Sequence, residues 1–345
     1  MMLLLQNPSF RVHLPGFVAA AAVALLALGV QQLAAGLSEL FIALILGLAL
    51  RALLSARLAQ AVWQPGFLLL KTTVLRAGIV LFGFRLSWQQ LSQLGWQGIL
   101  IDLLMLSSTF CLALWLGRRL GVDKGLATLI GAGSAICGAA AVMATASTLR
   151  SNEAHSAVAI GTVVLFGSIA MLLYPLVYPW WVLLGGDARS MGVLIGSTVH
   201  EVAQVVVAGQ AISGDVAEFA VLSKLGRVLL LAPFLVVVML LQRRAANAAQ
   251  PAAVSSRGAA VPVPWFAIGS LGCCVWQSLS PLPELPLQAV LSVDRACLVL
   301  AMAALGLSTC FRQLGQFGYK PLFLGALLAC WLLIVGGFLN IFLYC

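Results

Sequence analysis

The sequence predicts an all-α polytopic membrane protein with about 11 transmembrane helices. One extra N-terminal span is followed by two inverted five-span repeats that contribute two crossing discontinuous helices. Three observations carry the prediction. Of 345 residues, 62% are hydrophobic and 8% charged, and mean hydropathy is +1.07; soluble domains run near 45–50% apolar and about 25% charged. The apolar runs have the length of a bilayer crossing, about 20 residues each. The basic residues sort to one side of those runs.

Between Pro, Gly and charged punctuation, the runs fall near 14–34, 38–55, 66–86, 96–117, 125–149, 155–177, 190–211, 216–241, 264–280, 287–309 and 321–343. The first follows Arg11 and His13, is too long for a signal-peptide core and lacks a clear cleavage site, so it is expected to stay as a span. The second is bounded by Arg51 and Arg57, and the third opens at Gln64-Pro65. Arg118-Arg119 close the fourth, Asp123-Lys124 and Arg150 bound the fifth, and Pro179 to Arg189 separates the sixth from the seventh. Arg243-Arg244 end the eighth, prolines open the ninth and tenth, and Lys320 opens the last. Residues 1–36 form the extra span, 37–178 the first repeat, and 186–241 with 264–345 the second. Residues 242–263, with Arg243, Arg244, Arg257 and an Ala/Ser/Pro run, read as a cytoplasmic linker.

With a cytoplasmic N-terminus, the inner segments hold 12 basic residues against 3 outside (Arg85, Arg150 and Arg295), a strong positive-inside pattern that puts the C-terminus in the periplasm. The net charge of +9 is too diluted for a phosphate-tracking face, so nucleic acid is not an expected partner. The eight cysteines lie in or beside apolar runs with no C-x-x-C and no His at zinc-finger spacing. They read as small hydrophobes, with no disulfide, metal or cofactor expected.

Sliding the chain against itself at five spans gives an orderly match. Leu44 to Gly47 meets Val193 to Gly196; Lys71 and Arg76 meet Lys224 and Arg227; Cys137 meets Cys297; Gly161 onward meets Gly325 onward. The odd offset makes the repeats inverted, the arrangement common in secondary carriers.

Charge at bilayer depth is costly, so each such residue asks for a reason. Lys71, Arg76, Lys224 and Arg227 face only Asp102 and Glu201, an excess of two positive charges. That excess reads as an anion site, or as structural pairs completed by carbonyl contacts. Gly131-Ala132-Gly133-Ser134-Ala135-Ile136-Cys137-Gly138 in span 5 weakens a helix. It reads as close helix packing or as a broken helix whose amides and Ser134 hydroxyl face a cavity, with Gly133, Ser134, Cys137 and Gly138 as substrate contacts. In span 7, His200 and Gln204 lie one turn apart, as do Ser197 and Glu201. The adjacent His200 and Glu201 are the expected carriers of a coupling proton, within a polar core that includes Asp102. Asp294-Arg295 reads as a cap and surface pair.

The segments Gly131-x-Gly133-Ser134-Ala135-Ile136-Cys137-Gly138, Gly196-Ser197-x-x-His200-Glu201-Val202-Ala203-Gln204 and Lys224-Leu225-x-Arg227-Val228-Leu229 resemble the YeiH-type family, called sulfate exporters. Leu75-Arg76-x-Gly78-Ile79 extends the resemblance, which covers nearly the whole chain; Ala132 stands where that family usually has Thr or Ser. The resemblance implies a bacterial inner-membrane protein related in fold to the cation/proton antiporter and bile-acid-symporter superfamily. Its crossing discontinuous helices would here be spans 5 and 10.

The expected function is secondary transport of a small anion, sulfate or sulfonate-like, by alternating access of a crossed-helix core against a panel of other spans. The absence of G-x-x-x-x-G-K-[ST] argues against a built-in ATPase. Cation/proton antiport is the alternative within transport, opposed by the scarcity of deep carboxylates; a channel or sensor is a third. An intramembrane enzyme would use His200-Glu201 as acid and base and Ser134 or Cys137 as nucleophile, but neither H-E-x-x-H nor G-x-S-x-G occurs, so no enzyme is expected. The expected partners are the anionic substrate, protons, the bilayer and a second copy of the chain in a homodimer.

Overall fold

The computed structural model describes residues 8–33, 38–54, 61–149, 151–249, 264–309 and 318–344. In chain order the helices are α1 Pro8–Leu33, α2 Glu39–Leu53, α3 Gln64–Arg85, α4 Trp88–Leu120, α5 Lys124–Ala135, α6 Ala139–Leu149 and α7 Glu153–Leu183. They continue with α8 Ala188–Thr198, α9 Val202–Gln210, α10 Gly214–Leu229, α11 Leu231–Ala249, α12 Trp265–Leu279, α13 Glu284–Ser308 and α14 Tyr319–Tyr344. There is no strand among the described residues. Among the described residues, seven helices are long and apolar enough to cross a membrane. All-helical construction is what hydrocarbon demands, since a helix satisfies its own backbone donors and acceptors.

Side chains at the ends take up the orphan amides. Asp123 accepts from the Gly125 and Leu126 N–H groups at 2.8 and 3.1 Å; Ser38 and Asn152 cap α2 and α7 in the same way. Two other features interrupt regular helix. A π-helical turn occupies Leu70–Val74 within α3, and Gly95 leaves helical geometry near the start of α4 at φ 56°. Of the stretch read as a linker, 242–249 continues α11, whereas 250–263, Cys310 and Cys345 lie outside the described residues.

The chain divides into two compact units. The first holds α1, α2, α3, α13 and nearly all of α12. Here α2 and α13 meet backbone to backbone: a Cβ added at Gly47 would lie 2.8 Å from the Ala303 carbonyl oxygen and 3.0 Å from the Gly306 Cα. Small residues permit such close approach in lipid, where packing rather than water drives helix association. The second unit holds most of α4, all of α5 to α8, α9 but for Gln210, and α10, α11 and α14. Part of its core is Leu129, Ile130, Val142, Ala159, Val163, Leu324 and Leu328.

Span 8 is divided at the single residue Leu230, between α10 and α11, and the wider interruptions fall in spans 5 and 7. Span 5 is α5 and α6 joined at 136–138, and span 7 is α8 and α9 joined at 199–201. Span 10, expected to be broken, is the continuous α13. The physical reason is local. Ala301, Ala303 and Ala304 are strong helix formers with no glycine before Gly306, whereas Gly196-Ser197-Thr198-Val199 places a glycine, a serine and two β-branched residues in a row.

Candidate functional site

The break in span 5 ends α5 with Ile136 at φ −125° and ψ −82°. Gly138 follows at φ +61°, its N–H donating to the Gly133 carbonyl at 2.9 Å. That left-handed conformation is one that glycine alone adopts without cost, and a Cβ there would also run into Glu201. The break in span 7 passes through Val199, extended at φ −72° and ψ 142°. It leaves the carbonyl ends of two half-helices inside one unit, each with the partial negative charge of a helix C-terminus.

Helix α10 delivers cations to both ends. It packs closely on α8 because Gly196 has no side chain: a Cβ there would lie 2.5 Å from the Ala220 carbonyl oxygen and 2.7 Å from the Ser223 Cβ. From this position the Lys224 ammonium donates to the Ile136 carbonyl at 2.8 Å and the Val199 carbonyl at 2.5 Å. Arg227 Nε donates to the Ala135 carbonyl at 2.6 Å and Nη2 to the Ser134 carbonyl at 3.4 Å, while Nη1 donates to the Ser197 carbonyl. Both side chains are fully buried. Five main-chain oxygens thus receive five of the eight N–H groups these two cations carry, leaving one on Lys224 and two on Arg227.

The opposite charge sits at the N-terminal half of the same break. Glu201 Oε1 accepts from the Ala139 N–H at 3.3 Å, placing a carboxylate at the start of α6. Gln204 Oε1 accepts from the Glu201 N–H at 3.1 Å, and its Nε2 donates to Val164 O and Ser168 Oγ, both at 3.2 Å, which ties α9 to α7. Tyr174 hydrogen-bonds to Thr198. The Ser197 hydroxyl turns back onto the Leu194 carbonyl. His200 is 1% exposed and neither ring nitrogen has a hydrogen-bond partner. Asp102 on α4 is buried, within electrostatic reach of Lys224 and Arg227, and its Oδ1 is unpartnered.

The site residues read from sequence therefore divide. Asp102, Gly133, Ser134, Cys137, Gly138, Ser197, His200, Glu201, Gln204, Lys224 and Arg227 all lie in the second unit. Lys71 and Arg76 lie in the first, so the structure does not gather the four cations into one cluster within either unit. Lys71 donates to Ser308 Oγ at 3.5 Å, and Arg76 is exposed, its guanidinium 5.9 Å from the centre of the Phe266 ring. Asp294 is no surface partner of Arg295. It is fully buried and pairs with Arg85 at 2.8 Å, while Arg295 pairs with Glu39 at 2.6 Å. The alternation of α13 puts neighbouring residues on different faces. The contributions of Ala135, Ile136 and Val199 come from carbonyl oxygens, which no side-chain motif announces.

Comparison with known proteins places the chain in a family. The model of the family described as Conserved hypothetical protein 698 matches residues 15–325. The chain belongs to that family. It is 41% identical over 314 residues to the UPF0324 inner membrane protein YeiH of Escherichia coli K12, covering 89% of this chain and 86% of the relative. It is 44% identical over 310 residues to a UPF0324 membrane protein of Pseudomonas aeruginosa, covering 88% and 86% respectively. A UPF0324 membrane protein of Yersinia pestis matches at 41% over 341 residues, covering 96% and 92%. No solved structure matches the chain. With its apolar helices, membership in the YeiH-type family identifies a multi-pass inner-membrane protein.

Proposed function

We propose that the protein is a secondary active carrier of a small oxyanion, sulfate or a sulfonate-like solute, working by alternating access and not as an enzyme. One observation carries the reading: two helices are interrupted inside the membrane-embedded fold, and a lysine and an arginine hold their broken carbonyl ends. Discontinuous helices place unwound backbone where a carrier binds its substrate. An oxyanion fits the uncommitted N–H groups of Lys224 and Arg227, because guanidinium grips two oxygens of one anion at once. We further propose a cytoplasmic N-terminus, a periplasmic C-terminus and a homodimeric assembly, the orientation resting on the basic residues of the inner segments.

The test is a solute panel on purified protein in liposomes, with and without a pH gradient. The expected result is saturable sulfate or sulfonate uptake that responds to the gradient and falls at least tenfold in Arg227→Gln. Sodium or potassium flux exchanged for protons, with no anion flux, would establish the antiporter reading instead.

A further inference from the structure

Contacts along α4 and α14 fix the register of these two helices. Trp331 Nε1 donates to Ser108 Oγ at 3.3 Å, a Cβ at Gly336 would lie 3.5 Å from Met105 Cε, and the Tyr344 hydroxyl donates to the Leu94 carbonyl at 2.7 Å. The helices run antiparallel, and this register sets Asn340 level with the turn that holds Asp102. Asn340 is one turn from Gly336, whose added Cβ would meet Thr198 and Leu194 of α8 as well as Met105 of α4, and Asp102 is one turn from Met105 on its own helix. Asn340 is fully buried and Asp102 nearly so.

The chemistry of the two side chains does not match if Asp102 is ionised. Asn340 Nδ2 is committed to the Gly336 carbonyl at 2.8 Å, so the amide offers only Oδ1, an acceptor. Asn340 Oδ1 and Asp102 Oδ1 are both buried with no hydrogen-bond partner. Buried polar atoms are nearly always paired, so two acceptors brought to one level of adjoining helices require a donor. One proton supplies it.

We propose that Asp102 is the coupling-proton site of the carrier: its protonated carboxyl donates to Asn340 Oδ1, and proton and anion binding assist one another. The proposal rests on the carrier reading. Within electrostatic reach of Asp102 are Lys224 and Arg227 from α10 and Tyr344 from α14. An ionised Asp102 offsets one of the two cations. Protonation removes that compensation and leaves the positive charge of Lys224 and Arg227 to an anion, so the two ligands travel together. Glu201, the other deep carboxylate, is occupied as the cap of α6.

Infrared difference spectra of the purified full-length protein in lipid test the proton site without transport. A protonated-carboxyl C=O band is expected at neutral pH, absent in Asp102→Asn and shifted in Asn340→Leu, which removes the acceptor. A band that persists in Asp102→Asn, or no band at all, overturns the proposal. Adding sulfate in weak buffer should then take up protons in the wild type but not in Asp102→Asn; uptake that persists in Asp102→Asn overturns it. Sodium ions stabilising wild type but not Asp102→Asn at fixed pH would replace the proton with a metal cation. A normal carboxyl band with no flux of any anion in the panel would leave Asp102 as a proton site and end the carrier reading alone.

Discussion

Lys224 and Arg227 stand almost one helical turn apart on α10 and divide two broken helix ends between them, each donating to both α5–α6 and α8–α9 segments. Each helix C-terminus carries roughly half a negative charge, so the two ends together offset about one of the two cations. A fully buried charge survives only with such compensation, because desolvation costs several kcal/mol per ion. The arrangement therefore fixes where the two breaks lie and keeps some positive charge in reserve.

Arg227→Lys separates these two roles. A lysine at this position keeps the charge but reaches fewer of the Ala135, Ser134 and Ser197 carbonyls, and loses the planar fork. Oxyanion transport should fall at least tenfold with a modest drop in thermal stability. Arg227→Met should cost about 3–5 kcal/mol, because three carbonyl oxygens are left buried without a donor. Melting in detergent and uptake in liposomes check the two readouts, and wild-type transport by Arg227→Lys would remove the guanidinium from the site.

Gly138 tests whether the break in span 5 is needed. Gly138→Ala puts a side chain at φ +61° and against Glu201, so both backbone strain and the α6 cap are affected. A loss of about 1–3 kcal/mol is expected from the strained backbone alone. Gly337→Ala is the control: nothing lies within 4 Å of its added Cβ, and alanine favours the helix there. Equal melting temperatures for the two variants would show that the turn tolerates a side chain.

The all-helical membrane class was legible from hydropathy, and the break at 136–138 from the glycine cluster around it, because a weakened helix leaves its mark in residue type. The break at 199–201 was visible only as a polar stripe, since the element that stabilises it, Lys224, comes from another helix. The partner of span 5 was misassigned to span 10 because the repeat match compared apolar runs, and Ala301 to Ala304 resemble the Ala-rich run of span 5 in composition without its glycines. Asn340 carried a readable signal, a lone amide in an apolar run. Its meaning depends on the packing of α14 against α4, which sequence periodicity does not contain.

Glu201→Gln and Glu201→Ala should part company. The glutamine retains an oxygen able to accept from the Ala139 N–H, whereas alanine leaves that amide unpaired at the start of α6. The alanine variant should lose about 0.5–2 kcal/mol as for an N-cap deletion, and the glutamine variant less. Identical melting of both would show that the carboxylate cap contributes nothing.

Arg85→Met should be among the most destabilising changes in the first unit. It leaves Asp294, fully buried, without the arginine that pairs with it at 2.8 Å. Breaking a buried pair from one side costs about 3–5 kcal/mol, whereas removing both charges is often neutral. The double variant Arg85→Met/Asp294→Leu should therefore recover most of the loss. Failure to recover would mean that the two residues do not act as a pair.

Asp187 gives a pH test outside the membrane-spanning segments. It caps α8, accepting from the Ser190 N–H at 2.7 Å, while the Ser190 hydroxyl accepts from the Asp187 N–H at 2.9 Å. Partial burial works against its charge, but these bonds and nearby Arg189 outweigh it and hold the carboxyl below its ordinary value. A carboxyl lowered on folding stabilises the fold above its unfolded pKa, about 3.9, and that contribution disappears as pH falls through the lower folded value. Asp187→Asn keeps an oxygen for the cap but cannot titrate. The stability difference between wild type and Asp187→Asn should accordingly be constant above about pH 5 and shrink below about pH 4. A difference that grows on acidification would mean that Asp187 is protonated more readily in the folded protein, opposite to what its hydrogen bonds require.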